Sequence, residues 1–218
     1  MRVIEQSASV LEMDKSQAVA AMIHLERCGR VCYQSEDFMK DDSYEKFIRM
    51  LIDHGHESVL EHVSVTVKIV CSRGTSHQLV RHRLAAYSQE STRYCNYSQG
   101  RFGSSVTFIM PPGLRPAHGQ GSLEPYYTWL DAMKASEQTY LKLINLGLKP
   151  EVARGVLPQD LKTEMMITMN LRSWRHVLKV RLANAAQRDV RELMKMIHSQ
   201  LVELFPPIFS DIIPEETE

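Results

Sequence analysis

The 218-residue sequence has no excess of either charge: 26 Lys plus Arg are set against 26 Asp plus Glu. A general electrostatic binder of nucleic acid is basic overall, so any anion chemistry must come from local clusters. No run of 18 apolar residues occurs, and no membrane-spanning helix is expected. The opening MRVIEQSASVLEMDK carries acids early and lacks an apolar signal core, which points to a cytoplasmic protein. Neither GxGxxG nor GxxxxGK[ST] is present, so neither common phosphate-binding turn is indicated. CxxC is also missing. Cys28 and Cys32 stand four apart, Cys71 and Cys95 stand alone, and all four read as small buried hydrophobes. There is no internal repeat and no low-complexity segment.

What is present suits a soluble globular protein with one substantial core, or a core with a small appendage: 44% hydrophobic and 24% charged residues. The pattern predicts a first strand over Val3–Leu11 and a helix over Lys15–Cys28. A stronger helix follows over Asp42–His54, with Gly55 as its C-terminal cap. Val63, Val65, Val67 and Ile69 alternate with polar residues, the signature of a half-buried strand. Ser72 suits the cap of a helix reaching about Leu84, and polar Tyr87–Ser105 reads as an ordered loop. Further strands are expected over Ser105–Met110 and Met165–Asn170. Helices are expected over Leu123–Leu146, Glu151–Val156, Ser173–Leu182 and Asn184–Phe205, the last capped by Asn184 and stopped by Pro206 and Pro207. The expected fold class is therefore α+β: mixed helices on a small central sheet, one domain over 1–213 and an acidic tail over 214–218.

Chemistry concentrates in Gln78–Tyr94, QLVRHRLAAYSQESTRY. Arg81, His82 and Arg83 are consecutive and cannot all face one way on a helix. The three arginines of this stretch meet one acid, Glu90. Guanidinium forks match pairs of phosphate oxygens, and Ser91 and Thr92 add hydroxyls beside Arg93. A solvated basic helix end would look similar taken alone. However, Arg172, Arg175, Lys179 and Arg181 form a second block with no acid inside it. Such cations repel one another unless an anion is near. Arg154 stands in a short apolar helix, where an unpaired charge is costly. Three arginine concentrations in a neutral chain suggest small polyanionic ligands. The histidines of His54-Gly-His56-Glu-Ser-Val-Leu-Glu-His62 lack the spacing that puts two metal ligands on one helical face, and no metal is expected.

These residues resemble the flavin-dependent thymidylate synthases. That family's signature is RHR, seven residues, then Ser; here Arg81-His82-Arg83 is followed by Leu84–Glu90 and Ser91. The likeness extends to Arg93-Tyr94, to HESVLEH upstream, to Ala153-Arg154 before Val-Leu-Pro, and to Asn170-x-Arg172-Ser173 with Arg181. The resemblance covers about residues 50–190 and implies that family's fold. It also implies reductive methylation of dUMP to dTMP with FAD as cofactor, and NADPH and methylenetetrahydrofolate as co-substrates. FAD would be met by Ser58, Arg81, His82, Arg83, Gln89, Asn170, Leu171, Arg172 and His176. The nucleotide dUMP would be met by Gln78, Leu79, Val80, Arg81, Gln89, Glu90, Ser91, Thr92, Arg93, Arg154 and Arg181. Arg181 would be catalytic, polarising the pyrimidine. His56 and Tyr94 would lie near the flavin face. The family is a homotetramer with sites shared between subunits. Ala86 stands where the family often has Ser, Ser88 where it has Asn, and the family varies at His176. The resemblance assigns nothing to Arg101–Ser104 or Arg115–Ser122. Rival readings are a non-catalytic module binding nucleic-acid phosphates, a metal-dependent hydrolase on His54, His56 and His62, and a helical assembly protein.

Overall fold

A computed structural model describes residues 1–114 and 121–215. Its elements are β1 (Arg2–Ile4), β2 (Ser7–Val10), α1 (Lys15–Val31), α2 (Ser43–Asp53), β3 (Ser64–Ser72), α3 (Arg73–Leu79) and β4 (Ala85–Gln89). There follow β5 (Thr107–Ile109), α4 (Glu124–Asn145), α5 (Pro150–Ala153), β6 (Lys162–Asn170), α6 (Leu171–Arg181), α7 (Arg188–Leu204) and α8 (Pro206–Phe209). Single 3-10 segments occupy Glu36–Phe38, Glu57–His62, Gly100–Phe102 and Arg154–Val156. One sheet is β1 parallel to β5, with Val3 opposite Phe108; the other has the order β2-β3-β6-β4. Mixed helices around a small sheet are thus the observed class.

The chain divides into two compact units. The first takes Met1–Ser7, Ile69–Arg81 and the described part of Ser88–Met165; the second takes Ala8–Lys68, His82–Tyr87 and the chain from Met166 onward. In the first, Tyr97, Val106, Phe108, Met133, Tyr140, Ala153 and Leu161 form the apolar cluster, and Tyr97 and Tyr140 pack with ring centroids 5.9 Å apart. In the second, α1 packs on α2 and on Glu57–His62, while α6 packs on that same segment and on α7. Leu25, Ile48, Leu60, Trp174, Val177, Leu193 and Ile197 are among its buried residues. The Trp174 indole donates to the Val65 carbonyl at 3.1 Å, tying α6 to β3.

Two strand-to-helix junctions position the cationic residues. At the end of β3, the Ser72 hydroxyl accepts the Thr75 amide at 3.0 Å and starts α3. At the end of β6, the Asn170 side chain accepts the Ser173 amide at 2.8 Å and starts α6. Each cap satisfies an orphan amide of the first turn, so the strand runs straight into the helix with no loop.

Several expectations need correction. Val3–Leu11 is two strands, because Arg2–Ile4 pairs with β5 while Ser7–Val10 joins the larger sheet. The helix begun by Ser72 ends at Leu79, not Leu84. Arg81's amide bonds back only to Gln78, and Leu84 takes a left-handed backbone, φ 60°. The RHR triplet therefore sits in the turn before β4. That strand begins at Ala85 and runs into the segment expected to be a loop from Tyr87: five residues at a sheet edge, none of them buried, give little strand signal. Helix α6 starts two residues early, at Leu171. Asn184 does not cap α7, which begins at Arg188 after Gln187. Pro206 does end α7, but it also opens the short α8. Residues 115–120 of the unassigned connector and 216–218 of the acidic tail lie outside the described residues.

Leu25, fully buried on α1, measures how tightly the second unit is packed. Leu25→Ala is expected to lose about 2–5 kcal/mol, read as a lower urea midpoint at unchanged m-value; a loss below about 0.5 kcal/mol would contradict this packing.

Candidate ligand site

In the first unit, Gln78 and Leu79 end α3, and Val80 and Arg81 follow in the turn. The Leu79 side chain is core, while Val80 and Arg81 are exposed, so Leu79 can offer a ligand only its backbone. Gln89 is held from two sides, its amide donating to the Ser76 hydroxyl at 2.9 Å and the Thr163 hydroxyl at 3.1 Å. The Glu90 carboxylate accepts from the Tyr97 hydroxyl at 2.9 Å, the Lys162 ammonium at 3.0 Å and the Glu164 amide at 3.2 Å. Its side chain is thereby used within the protein. Beyond it the chain turns tightly: the Ser91 carbonyl accepts the amides of Tyr94 and Cys95, and its hydroxyl accepts the Arg93 amide at 3.3 Å.

Arg154 is brought to this turn from 62 residues away, donating to the buried Thr92 hydroxyl at 2.7 Å. Among the described residues it makes no ion pair, so a half-buried guanidinium keeps most of its donors and all of its charge for something else. Arg93 is exposed, 3.7 Å from Glu151, and lies 5.5 Å over the Tyr94 ring. A cavity of about 780 Å³ opens beside Glu90, lined also by Arg2, Tyr97, Arg101, Phe102 and Lys162. Of the expected ligand residues it meets Glu90, but not Arg81, Arg93 or Arg154.

In the second unit, Arg181 closes α6 and its Nε donates to Nε2 of His82 at 2.9 Å. An acceptor nitrogen carries no proton, so the neutral ring holds its hydrogen on Nδ1. Burial lowers the His82 pKa below the ordinary imidazole value, and the charges of Arg181 and His176 lower it further. The Tyr87 hydroxyl donates to the His82 carbonyl at 2.8 Å, and Arg83 is exposed nearby in the sequence. Exposed Arg172 and His176 lie four apart on α6, and Arg172 donates to Glu61 at 2.5 Å. Ser58 is exposed on the Glu57–His62 segment. The Asn170 carbonyl oxygen is committed to its cap and the Leu171 side chain is fully buried. His56 and Tyr94 are exposed.

The cations of α6 have no acid within their own block, but the anions they meet include carboxylates from elsewhere in the chain. Arg175 is buried and paired with both Asp211 and Glu57; Lys179 stands 3.6 Å from Glu57. Glu57 lies within the HESVLEH stretch, but a partner 118 residues away leaves no local signal. The structure thus separates the arginines by partner. Arg172 and Arg175 face carboxylates, whereas Arg154 faces a hydroxyl and Arg181 a neutral imidazole.

Thiol chemistry is poorly served. Cys71 is fully buried and its thiol is pushed up to about 12 by burial. Cys95 is raised by burial and by the charge of Glu90. No group of three or more His, Cys, Asp or Glu among the described residues could hold a metal ion.

The sequence profile of the thymidylate synthase complementing protein family matches residues 15–207. A flavin-dependent thymidylate synthase of Pyrococcus furiosus is 37% identical over 166 residues, 76% of this chain and 65% of that protein. Another, from Mycobacterium sp. strain KMS, is 32% identical over 209 residues, 86% of this chain and 78% of the relative. The chain spans about two thirds of the length of the Pyrococcus relative, 65%. Among solved structures, the UMP/dUMP methylase PolB of Streptomyces cacaoi, bound with 5-Br dUMP, has a TM-score of 0.78 at 22% identity, covering 96% of each chain. Thymidylate Synthase X of Helicobacter pylori, with FAD and dUMP, has a TM-score of 0.75 at 20% identity, covering 96% of this chain and 100% of the other. At these identities the structures show a shared fold.

The Arg181–His82 hydrogen bond has a pH signature. In the window between the lowered folded pKa and the ordinary value of about 6.5, the unfolded chain binds more protons than the folded one. The contribution is therefore whole above about pH 6.5 and is lost as pH falls through the folded midpoint. Proton NMR of the His82 ring is expected to show a midpoint below about 6.5 that rises in Arg181→Ala. A wild-type midpoint at or above about 6.5, unmoved by the substitution, would contradict the geometry.

Proposed function

The chain belongs to the thymidylate synthase complementing protein family, and from that premise we propose that it methylates dUMP to dTMP as a flavin-dependent thymidylate synthase. FAD is the proposed cofactor, NADPH the reductant and methylenetetrahydrofolate the carbon donor. The observation that carries this reading is Arg181 resting on the neutral His82 ring rather than on a carboxylate.

Carbon 5 of uracil must act as the nucleophile, and neutral uracil is a poor one. A protein can add a thiolate at carbon 6 or stabilise negative charge on the ring. Raised thiols at Cys71 and Cys95 speak against the first route. Arg181 suits the second: its fixed charge, directed at the N3–O4 side, favours electron density on the ring as the new bond forms at carbon 5. The imidazole holds the guanidinium in place without neutralising it. Arg154, steadied by Thr92, suits the nucleotide phosphate, together with the Ser91 hydroxyl and the exposed Arg93 side chain. In the proposed homotetramer, the two ends of one nucleotide need not meet groups of a single protomer.

The donor set fits FAD. Arg172, His176 and Ser58 are exposed, and Arg172 can exchange the exposed Glu61 for a pyrophosphate oxygen. Arg81, His82, Arg83, Gln89, Asn170 and the Leu171 backbone complete the proposed contacts. When bound, FAD would supply the redox chemistry, hydride transfer between the nicotinamide and the nucleotide-bound carbon. The proposed location is the cytoplasm; no described helix is long and apolar enough to cross a membrane. A nucleic-acid surface is less well supported, because Arg172, Arg175 and Lys179 all face carboxylates.

Arg181→Ala is expected to lower dTMP formation by about 10²-fold or more while the preparation keeps its yellow flavin absorbance. Product assay by chromatography beside the visible spectrum checks both. Unchanged turnover in the flavin-loaded variant would remove Arg181 from the chemistry.

A further inference from the structure

Arg175 stands between Arg172 and His176 on α6, yet its side chain is turned inward with 1% exposure. Its guanidinium gathers two other segments. Nε donates to Glu57 at 3.2 Å, and the terminal nitrogens grip Asp211 as a fork, at 2.6 and 2.7 Å. One of them also donates to the Ile208 carbonyl. Glu57 immediately precedes Ser58, and Lys179, one turn further along α6, stands 3.6 Å from the same carboxylate. On the other side, Ile208, Phe209 and Ile212 are buried, so the segment that carries Asp211 is anchored by its own apolar contacts. Ile208 and Asp211 also lie beyond residue 207, where the match to the family profile ends.

We propose that Asp211 and Arg175 are positioning residues for the cofactor face. Asp211 and the Ile208 carbonyl fix the guanidinium, the guanidinium fixes Glu57, and Glu57 sets where Ser58 stands relative to Arg172 and His176. The C-terminal segment thereby tunes a face it does not touch. The inference rests on the proposed binding of FAD. Its physical basis is that a buried guanidinium which loses one carboxylate must recruit more from the other. Glu57 is that other, and the Glu57–His62 segment moves with it. A lysine cannot serve, since an ammonium lacks the planar fork that meets Asp211 with two nitrogens while a third reaches Glu57.

The test compares FAD binding, followed by flavin fluorescence, in the full-length protein and in Asp211→Asn, Glu57→Gln and the double variant. Ile197→Val in α7 is a stability control outside the network. Asp211→Asn is expected to weaken FAD about tenfold, in the range of coupling between linked sites. The double variant should lose less than the product of the two single losses, because both act through one guanidinium. The control should lose melting temperature without losing affinity. Should Asp211→Asn fail to fold, Arg175→Lys is read in the same way. FAD affinity equal to wild type in the variants, or losses that multiply independently, overturns the inference. A folded wild type that binds no FAD overturns the cofactor reading instead.

Discussion

A guanidinium does not shed its proton at any pH a folded protein meets, so the fold must decide what each arginine is paired with. That constraint organises this molecule. Where the partner is a carboxylate, as for Arg175 with Asp211 and Glu57, the charge is consumed and the residue becomes a clamp. Where the partner is neutral, as for Arg154 with Thr92 and Arg181 with His82, the side chain is held in place while its charge stays available. Arg172, paired with an exposed Glu61, lies between these cases. Surface ion pairs of that kind are weak, so an anionic ligand can displace the carboxylate at small cost.

The backbone devices that hold these groups are economical. Ser72 and Asn170 each end a strand and cap the helix that follows. A helix that begins on the last residue of a strand has its first turn fixed by the sheet. Helix α6 is also tied to β3 through Trp174 and to the C-terminal segment through Arg175. Two anchors along one short helix leave little freedom for Arg181 in its last turn. His82 contributes more than a hydrogen-bond acceptor. With its pKa lowered by burial and by the neighbouring charges, it stays neutral and does not compete with Arg181 for an anion.

Much of this was legible in the chain. The alternation of Val65, Val67 and Ile69, the helical spacing of Phe47, Ile48 and Leu51, and Gly55 with φ 71° all reflect local physics, and all hold. The RHR-x7-S spacing pointed to the family, which the profile and the relatives bear out. Two kinds of feature were not legible. Strand β4 is five residues long, carries only Ala85, Ala86 and Tyr87 as apolar residues and buries none of them, so no strong strand signal marks it; it pairs with β6 at the sheet edge. Partners far apart in sequence, such as Arg175 with Glu57 and Asp211 or Glu90 with Lys162, leave no trace in local composition. For that reason the cations of α6 read as pointing to small anionic ligands, when the innermost of them, Arg175, is neutralised by protein carboxylates.

The most direct measurement is a comparison of dUMP with deoxyuridine, by calorimetry on the flavin-loaded protein and on Arg154→Ala. The two ligands differ only in the phosphate, so the difference in affinity isolates the group that Arg154 is held to meet. The account predicts a marked preference for dUMP in the wild type that largely disappears in Arg154→Ala. An undiminished preference in that variant would contradict it.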